Sequence, residues 1–179
     1  MKLEPLKIDL EEIKKGLPGF TPTAASYIAE AASYCLYKSG HDSGVFLLLD
    51  EEQRVKIQWN MELSEDLETT WQDEQELVEF AAVGIALPLA LLLTSYTDIQ
   101  RAEKGSRADF WLGRKDENGF PILEALLEVS GIYKENAGNT LKTRVKRKTQ
   151  QIKKTPYGNL TCYVIVIEFS QPKGKFLKL

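Results

Sequence analysis

Two acidic residues occur at places in the sequence that otherwise favour buried strands. Asp109 follows "GSRA" and begins "DFWLG", and Glu128 lies inside "LLEVSG". Because a buried carboxylate without a partner is costly, Glu128 is better explained by a functional site than by packing. For Asp109, an ion pair at the surface with Arg107 or Arg114 is the alternative. Two carboxylates on adjacent strands offer the oxygen ligands that Mg²⁺ or Mn²⁺ prefers, so the pair predicts a metal site.

The elements that must position these acids alternate between helix and strand. Residues 72–93 predict a long helix, which is followed by strands at 96–103, 107–113 and 122–131, a helix at 139–154 and a strand at 160–170. Before them, residues 21–40 predict a helix, and residues 44–50 and 54–60 a β-hairpin. We therefore expect a single α/β domain over residues 1–179, with a mixed central β-sheet flanked by helices. Residues 72–170 form its αβββαβ core, and residues 1–70 add the N-terminal helix and hairpin.

Charge is distributed unevenly along this chain. Residues 1–141 contain 13 Lys and Arg against 25 Asp and Glu, whereas residues 142–154 contain seven Lys and Arg and no acid. A basic helix on an acidic body indicates a local contact with DNA or RNA. A solvated helix face and contact with an acidic protein partner are the alternatives. The candidate nucleic-acid-binding residues are Lys142, Arg144, Lys146, Arg147, Lys153 and Lys154.

One lysine of this basic helix falls on its apolar side. Leu141, Val145 and Ile152 form a stripe at helical spacing, and Lys148 occupies the position that completes it. Lys148 should therefore point toward the sheet, where the acidic pair provides its counter-charge. A lysine whose stem covers apolar surface while its amine reaches water is the alternative.

The order of elements, with an acid on the second and the third core strand, resembles the PD-(D/E)XK nuclease-like superfamily. "RADFWLG" and "LEVSGI" also resemble a group of small uncharacterised bacterial proteins with an LEVSGI-like motif. The superfamily resemblance implies a restriction-endonuclease-like core in which Asp109 and Glu128 bind Mg²⁺, with Glu79 of the first core helix as a further ligand. The sequence departs from the family at Ser130, where the catalytic lysine is usual, so its motif is D…ExS. Relocation of the lysine to the following helix is known in this fold, which makes Lys148 the substitute.

Two classes of function remain open at this point. The first is a Mg²⁺- or Mn²⁺-dependent phosphodiesterase acting on nucleic acid, with Asp109, Glu128, Lys148 and Ser130 in the catalytic site. The second is a catalytically inactive nuclease-fold protein that works as a binding subunit of a bacterial defence or mobile-element complex. The intact acids favour the first class, and the serine favours the second. DNA or RNA bound through residues 142–154, a protein partner and a homodimer are the expected partners.

No segment of the sequence predicts membrane insertion or export. The first residues lack the apolar stretch of a signal peptide, and the longest apolar run, 80–93, is interrupted by Pro88 and is short for a membrane span. Cys35 and Cys162 have no metal-binding spacing and are expected to be reduced thiols. These features predict a cytoplasmic protein without membrane contact.

Overall fold

The computed structural model describes residues 5–179 and contains an eight-stranded sheet with helices packed on it. The strands are β1 (Leu6–Asp9), β2 (Val45–Leu49), β3 (Gln53–Gln58), β4 (Asp98–Arg101), β5 (Phe110–Lys115), β6 (Pro121–Ile132), β7 (Thr161–Glu168) and β8 (Lys173–Lys178). The helices are α1 (Leu10–Ile13), α2 (Pro22–Lys38), α3 (Glu65–Thr70), α4 (Glu74–Leu93) and α5 (Leu141–Ile152). The predicted α/β class, with a mixed sheet and flanking helices, is confirmed.

The strands follow the order β1-β3-β2-β8-β7-β6-β5-β4 across the sheet. Strands β4, β5 and β6 form an antiparallel meander, and β7 returns parallel to β6 after α5. The element order αβββαβ is therefore present from α4 to β7. Strand β7 has a partner on each side and is buried along nearly its whole length, as its continuous apolar sequence predicts.

The N-terminal hairpin, β2 and β3, belongs to this same sheet. It joins the core through β8, a strand that the sequence did not predict. Strand β8 pairs antiparallel with β7 along its length, and pairs parallel with β2 only at Leu48 and Leu49. Strand β1, also unpredicted, extends the sheet by pairing parallel with β3.

Helix α4 lies between α2 and one face of the sheet, and its apolar sequence is explained by this burial. Close contact requires glycine twice: a Cβ on Gly84 would lie 2.3 Å from the Ile28 oxygen, and one on Gly131 would lie 2.5 Å from the Val78 oxygen. By length and composition α4 could cross a membrane, but 67% of its most apolar window is buried inside the protein. It is therefore a core helix, of the kind found in soluble proteins.

Helix α5 covers the opposite face of the sheet over β6 and β7. The buried residues of this second core are Trp111, Leu126, Ile132, Ile152, Cys162, Val164 and Val166. Leu141 and Val145 pack against them, so the predicted apolar stripe of the helix is confirmed. The Thr140 side chain caps the helix by accepting a hydrogen bond from the Thr143 amide.

The strand predicted at 107–113 begins three residues later than expected, at Phe110. Arg107 has a φ of 67°, in the left-handed region that a non-glycine residue seldom adopts, so the chain turns there instead of extending. The Ser106 hydroxyl stabilises this turn by bonding to both the amide and the carbonyl of Ala108. Asp109 therefore lies at the entrance to β5.

Candidate functional site

Strand pairing brings the two acids together at the end of β6. Asp109 donates its amide to the Leu127 oxygen at 3.0 Å, and its Oδ2 accepts a hydrogen bond from the Val129 amide at 2.8 Å. These two bonds hold Asp109 against the backbone on either side of Glu128. The expected proximity of the two acids is present in the structure, whereas their use as metal ligands stays a prediction.

Glu128 is buried, with 1% of its surface exposed. Its Oε1 accepts hydrogen bonds from Lys148 Nζ at 2.5 Å and from Gln151 Nε2 at 2.9 Å. Its Oε2 is also buried and accepts no hydrogen bond from residues 5–179, and the Glu128 carboxyl lies within hydrogen-bonding reach of the Asp109 carboxyl. When Glu128 is ionised, this oxygen is a costly buried acceptor, and either a proton shared with Asp109 or a bound cation would satisfy it.

The surroundings of Glu128 favour its neutral form. Burial raises the pKa of Glu128 to about 7, and the negative charge of Asp109 acts in the same direction. The Lys148 ammonium opposes both effects but does not cancel them. A carboxyl group whose pKa lies near neutrality, beside a second carboxyl group, is common at catalytic and metal sites.

Two residues of α5 reach Glu128 because they share one side of the helix. Lys148 was expected to point inward, and its contact with Glu128 is present in the structure; its catalytic role stays a prediction. Gln151, which was not among the candidate site residues, donates hydrogen bonds to Glu128 at 2.9 Å and to the Arg107 oxygen at 3.4 Å. Its position three residues after Lys148 was the signal in the sequence, since residues at this spacing are neighbours on a helix surface.

Ser130, at the position where the resembling family has its lysine, contacts a cation from another element. Arg144 of α5 donates through Nη1 to Ser130 Oγ at 2.9 Å and to the Gly131 oxygen at 3.2 Å. Its Nε and Nη2 both donate to Asn139 Oδ1. Arg144 therefore links α5 to the end of β6 by hydrogen bonds. The other residues expected to bind nucleic acid make no such contact with β6.

A cavity of about 550 Å³ opens at this end of the sheet, between α4 and α5. Asp109, Ser130 and Lys148 line it, and the exposed Glu79 lies on its α4 wall. Glu128 does not line the cavity and lies behind Lys148. Four of the residues expected at the site therefore border one cavity. The fifth, Glu128, contacts Lys148 without lining the cavity itself.

The three acids expected to bind metal do not form a preassembled three-ligand centre. Residues 5–179 contain no group of three His, Cys, Asp or Glu side chains placed to hold an ion. Asp109 and Glu128 alone still fit Mg²⁺ or Mn²⁺, because Mg²⁺ commonly uses one or two carboxylates and keeps several waters. The unpartnered Oε2 of Glu128 is the observation that supports this fit.

The rest of the basic helix is turned to solvent. Lys142, Lys146, Arg147, Lys153 and Lys154 are exposed. Their exposure leaves them available to phosphate groups, whereas Arg144 uses its donors internally. Their role in binding nucleic acid stays a prediction.

Comparison of the chain with protein-family models, with curated proteins and with solved structures finds no match.

Proposed function

We propose that this protein is a metal-dependent phosphodiesterase that acts on nucleic acid and is built on a restriction-endonuclease-like core. The order from α4 to β7, and the antiparallel meander with a parallel fourth strand, support this core. The acids lie at the start of its second strand and within its third. The observation that carries the proposal is the close pair formed by the half-buried Asp109 and the buried Glu128, in which one Glu128 oxygen accepts no hydrogen bond.

In this proposal Asp109 and Glu128 hold Mg²⁺ or Mn²⁺, and Glu79 supports the site from the α4 wall of the cavity. When bound, such an ion supplies Lewis acidity and lowers the pKa of a coordinated water. Gln151 keeps the Glu128 carboxylate oriented through its bond to Oε1. Glu128 must be ionised in this state, so the proposed site works best at a pH above about 7.

Lys148 takes the place of the lysine that is usual at position 130. Its side chain is 19% exposed and borders the cavity, so its ammonium group can contact a phosphoryl oxygen while remaining beside Glu128. Ser130 is held by Arg144 and keeps the end of β6 in place. The exposed cations of α5 hold the phosphate backbone of the substrate, and the protein acts in the cytoplasm.

A cleavage assay tests the proposal. Single- and double-stranded DNA and RNA are incubated with the protein in Mg²⁺ or Mn²⁺, and in EDTA. We expect metal-dependent cleavage that Asp109→Asn and Glu128→Gln abolish and that Glu117→Gln, an exposed control with the same chemical change, preserves. Cleavage that survives in both site variants would contradict the assigned roles.

The second candidate is a catalytically inactive nuclease-fold subunit of a bacterial defence or mobile-element complex. The ion pair between Lys148 and Glu128 favours it, because the lysine already neutralises much of the charge that a metal would bind. This candidate predicts no cleavage of any of the four substrates and no heat of Mg²⁺ binding by calorimetry. It also predicts stable association with a protein partner, or with a second copy, in sedimentation experiments.

A further inference from the structure

The face of the sheet that carries α5 is covered only in part. Helix α5 packs mainly on β7 and β6, and contacts β8 at its margin. Over β1, β3 and β2, the alternate residues that point away from α2 and α4 remain accessible. We call this region, with the adjoining part of β8, the open face. Its side chains are Lys7, Asp9, Phe46, Leu48, Arg54, Lys56, Gln58, Lys173 and Lys175.

The direction of these side chains follows from the burial of their neighbours. Leu47 and Leu49 of β2, and Val55 and Ile57 of β3, are buried in the core beneath α2 and α4. Successive residues of a strand point to opposite faces, so the residues between them lie on the open face.

The open face exposes large apolar side chains among cations. Phe46 is 36% exposed and Leu48 is 41% exposed. In the strand register, Lys56 lies opposite Phe46 on one side and opposite Lys7 on the other. Lys7 and Lys56 are neighbours on parallel strands and repel each other, and Asp9 offsets only the charge of Lys7, so the surface keeps positive charge that favours an anionic partner.

Acidic residues within the protein neutralise only some of these cations. Lys7, Lys173 and Lys175 form ion pairs with Asp9, Glu135 and Asp50. Arg54 and Lys56 form no ion pair with any acid in residues 5–179. The Arg54 guanidinium lies over one face of the Phe46 ring, 3.8 Å from its centre, so Phe46 supports a planar cationic group that can itself stack on a base.

We propose that the open face binds single-stranded nucleic acid. Arg54 and Lys56 would neutralise phosphates, and Phe46, Leu48 and the Arg54 plane would contact unstacked bases. A duplex presents mainly phosphates to a flat surface and would leave the two apolar side chains unused. The open face and α5 lie on the same side of the sheet, so a strand held on the open face continues toward the basic helix. This inference goes beyond the proposed catalysis and does not require it.

Binding in the absence of metal tests this proposal separately from cleavage. The probes are labelled oligo-dT and oligo-U of about twelve nucleotides, followed by fluorescence anisotropy in EDTA. We expect Arg54→Glu with Lys56→Glu to weaken binding by about tenfold or more, and to lower the salt slope by about 1.4, since single strands give about 0.7 per phosphate contact. The milder pair Arg54→Gln and Lys56→Gln should act in the same direction, which separates lost contacts from a folding defect.

The ring of Phe46 gives a second, uncharged test. Phe46→Ala should weaken binding by roughly tenfold, the scale of one lost base stack, while Phe46→Tyr should retain it. The control Lys15→Glu with Lys115→Glu makes the same charge change away from the open face and should bind like the wild type. Because binding is measured in EDTA, where a metal-dependent site cannot act, failure of catalysis and failure of this surface are distinguishable.

Four results would overturn the proposal. The first is that both the Arg54/Lys56 and the Phe46 variants bind the oligonucleotides as tightly as the wild type. The second is that the Lys15/Lys115 control loses as much affinity as the Arg54/Lys56 variant. The third is that the protein binds a duplex more tightly than a single strand, and that Phe46→Ala does not change the affinity for the duplex. The fourth is binding to phosphatidylserine vesicles without binding to either oligonucleotide, which would assign the surface to a membrane instead.

Discussion

The buried Glu128 should make the metal-free protein less stable as the pH rises. Its pKa is about 7 in the folded protein and about 4.5 as a free side chain, so the folded state retains a proton that the unfolded chain releases between these values. Its contribution to stability is therefore complete below pH 4.5 and is lost as the pH rises through 7. A pKa difference of about 2.5 corresponds to about 3 kcal/mol, at about 1.36 kcal/mol for each pH unit.

Glu128→Gln isolates this contribution because glutamine has nearly the same shape and does not titrate. The free energy of unfolding is measured by urea denaturation in EDTA between pH 4.5 and pH 8, followed by tryptophan fluorescence. Over this range the wild type should lose about 3 kcal/mol relative to Glu128→Gln, because every other titrating group is common to both proteins. Glu117→Gln, at an exposed turn, should follow the wild type.

Parallel pH profiles for the wild type and Glu128→Gln would refute the reasoning. They would mean that Glu128 is ionised throughout the range, and that the nearby lysine outweighs burial and Asp109. Adding Mg²⁺ at pH 8 should raise the stability of the wild type and leave that of Glu128→Gln unchanged, because ligand binding to the folded state alone is stabilising.

Three further predictions concern other parts of the site and the fold. Lys148→Met should raise the pKa of Glu128 by a further 1–3, which is roughly the influence of a close opposite charge, and pH-dependent denaturation would measure this change. The same variant should abolish cleavage in the nuclease assay. Gly131→Ala should destabilise the protein by about 1–3 kcal/mol in urea denaturation, because its methyl group would lie 2.5 Å from a backbone oxygen of α4. Reversing Lys146, Arg147 and Lys153 to glutamate should weaken nucleic-acid binding and reduce its dependence on salt, measured by anisotropy.

Each of these changes has a matched control elsewhere in the chain. Lys134→Met removes an exposed charge and should leave the pH profile unchanged. Gly138→Ala adds a methyl group whose nearest neighbour is 3.7 Å away, and should cost little. A loss of stability in Gly138→Ala equal to that in Gly131→Ala would show that close packing against α4 is not the cause.

Local patterns in the sequence were sufficient to predict the core elements and much of the site. The apolar stripe of α5 placed Lys148 on the side that faces the sheet, and strand adjacency placed Asp109 near Glu128. The contact between Arg144 and Ser130 was not predictable, because it depends on how α5 packs across the end of β6 and not on any spacing. Gln151 was not identified as a site residue, because the sequence does not distinguish an inward from an outward glutamine at the edge of an apolar stripe.

The missed strands and the open face have a different explanation. Strand β8, "KGKFLK", alternates weakly and contains glycine, which strands disfavour, so its own sequence does not identify it. Strand β2, "VFLLL", has the continuous apolar sequence of a strand covered on both faces, yet one of its faces is exposed at Phe46 and Leu48. Tertiary packing, and not the local sequence, therefore determines that β8 is a strand and that one face of β2 is exposed.

The position of β8 in the sheet has a consequence for the order in which the protein assembles. The β2–β3 hairpin is synthesised early, but its only link to the core strands is β8, near the end of the described chain. Until Lys173–Lys178 leaves the ribosome, β2 and β7 each have an unpaired edge, and such edges are sites of aggregation. A chain that ends before Lys173 should therefore form two sheet fragments, and the position of β8 between β2 and β7 should be vacant. A synthetic peptide of the β8 sequence should bind at this vacant position. The protein could therefore be divided at residues 169–172 and used as a split reporter that the peptide restores by complementation.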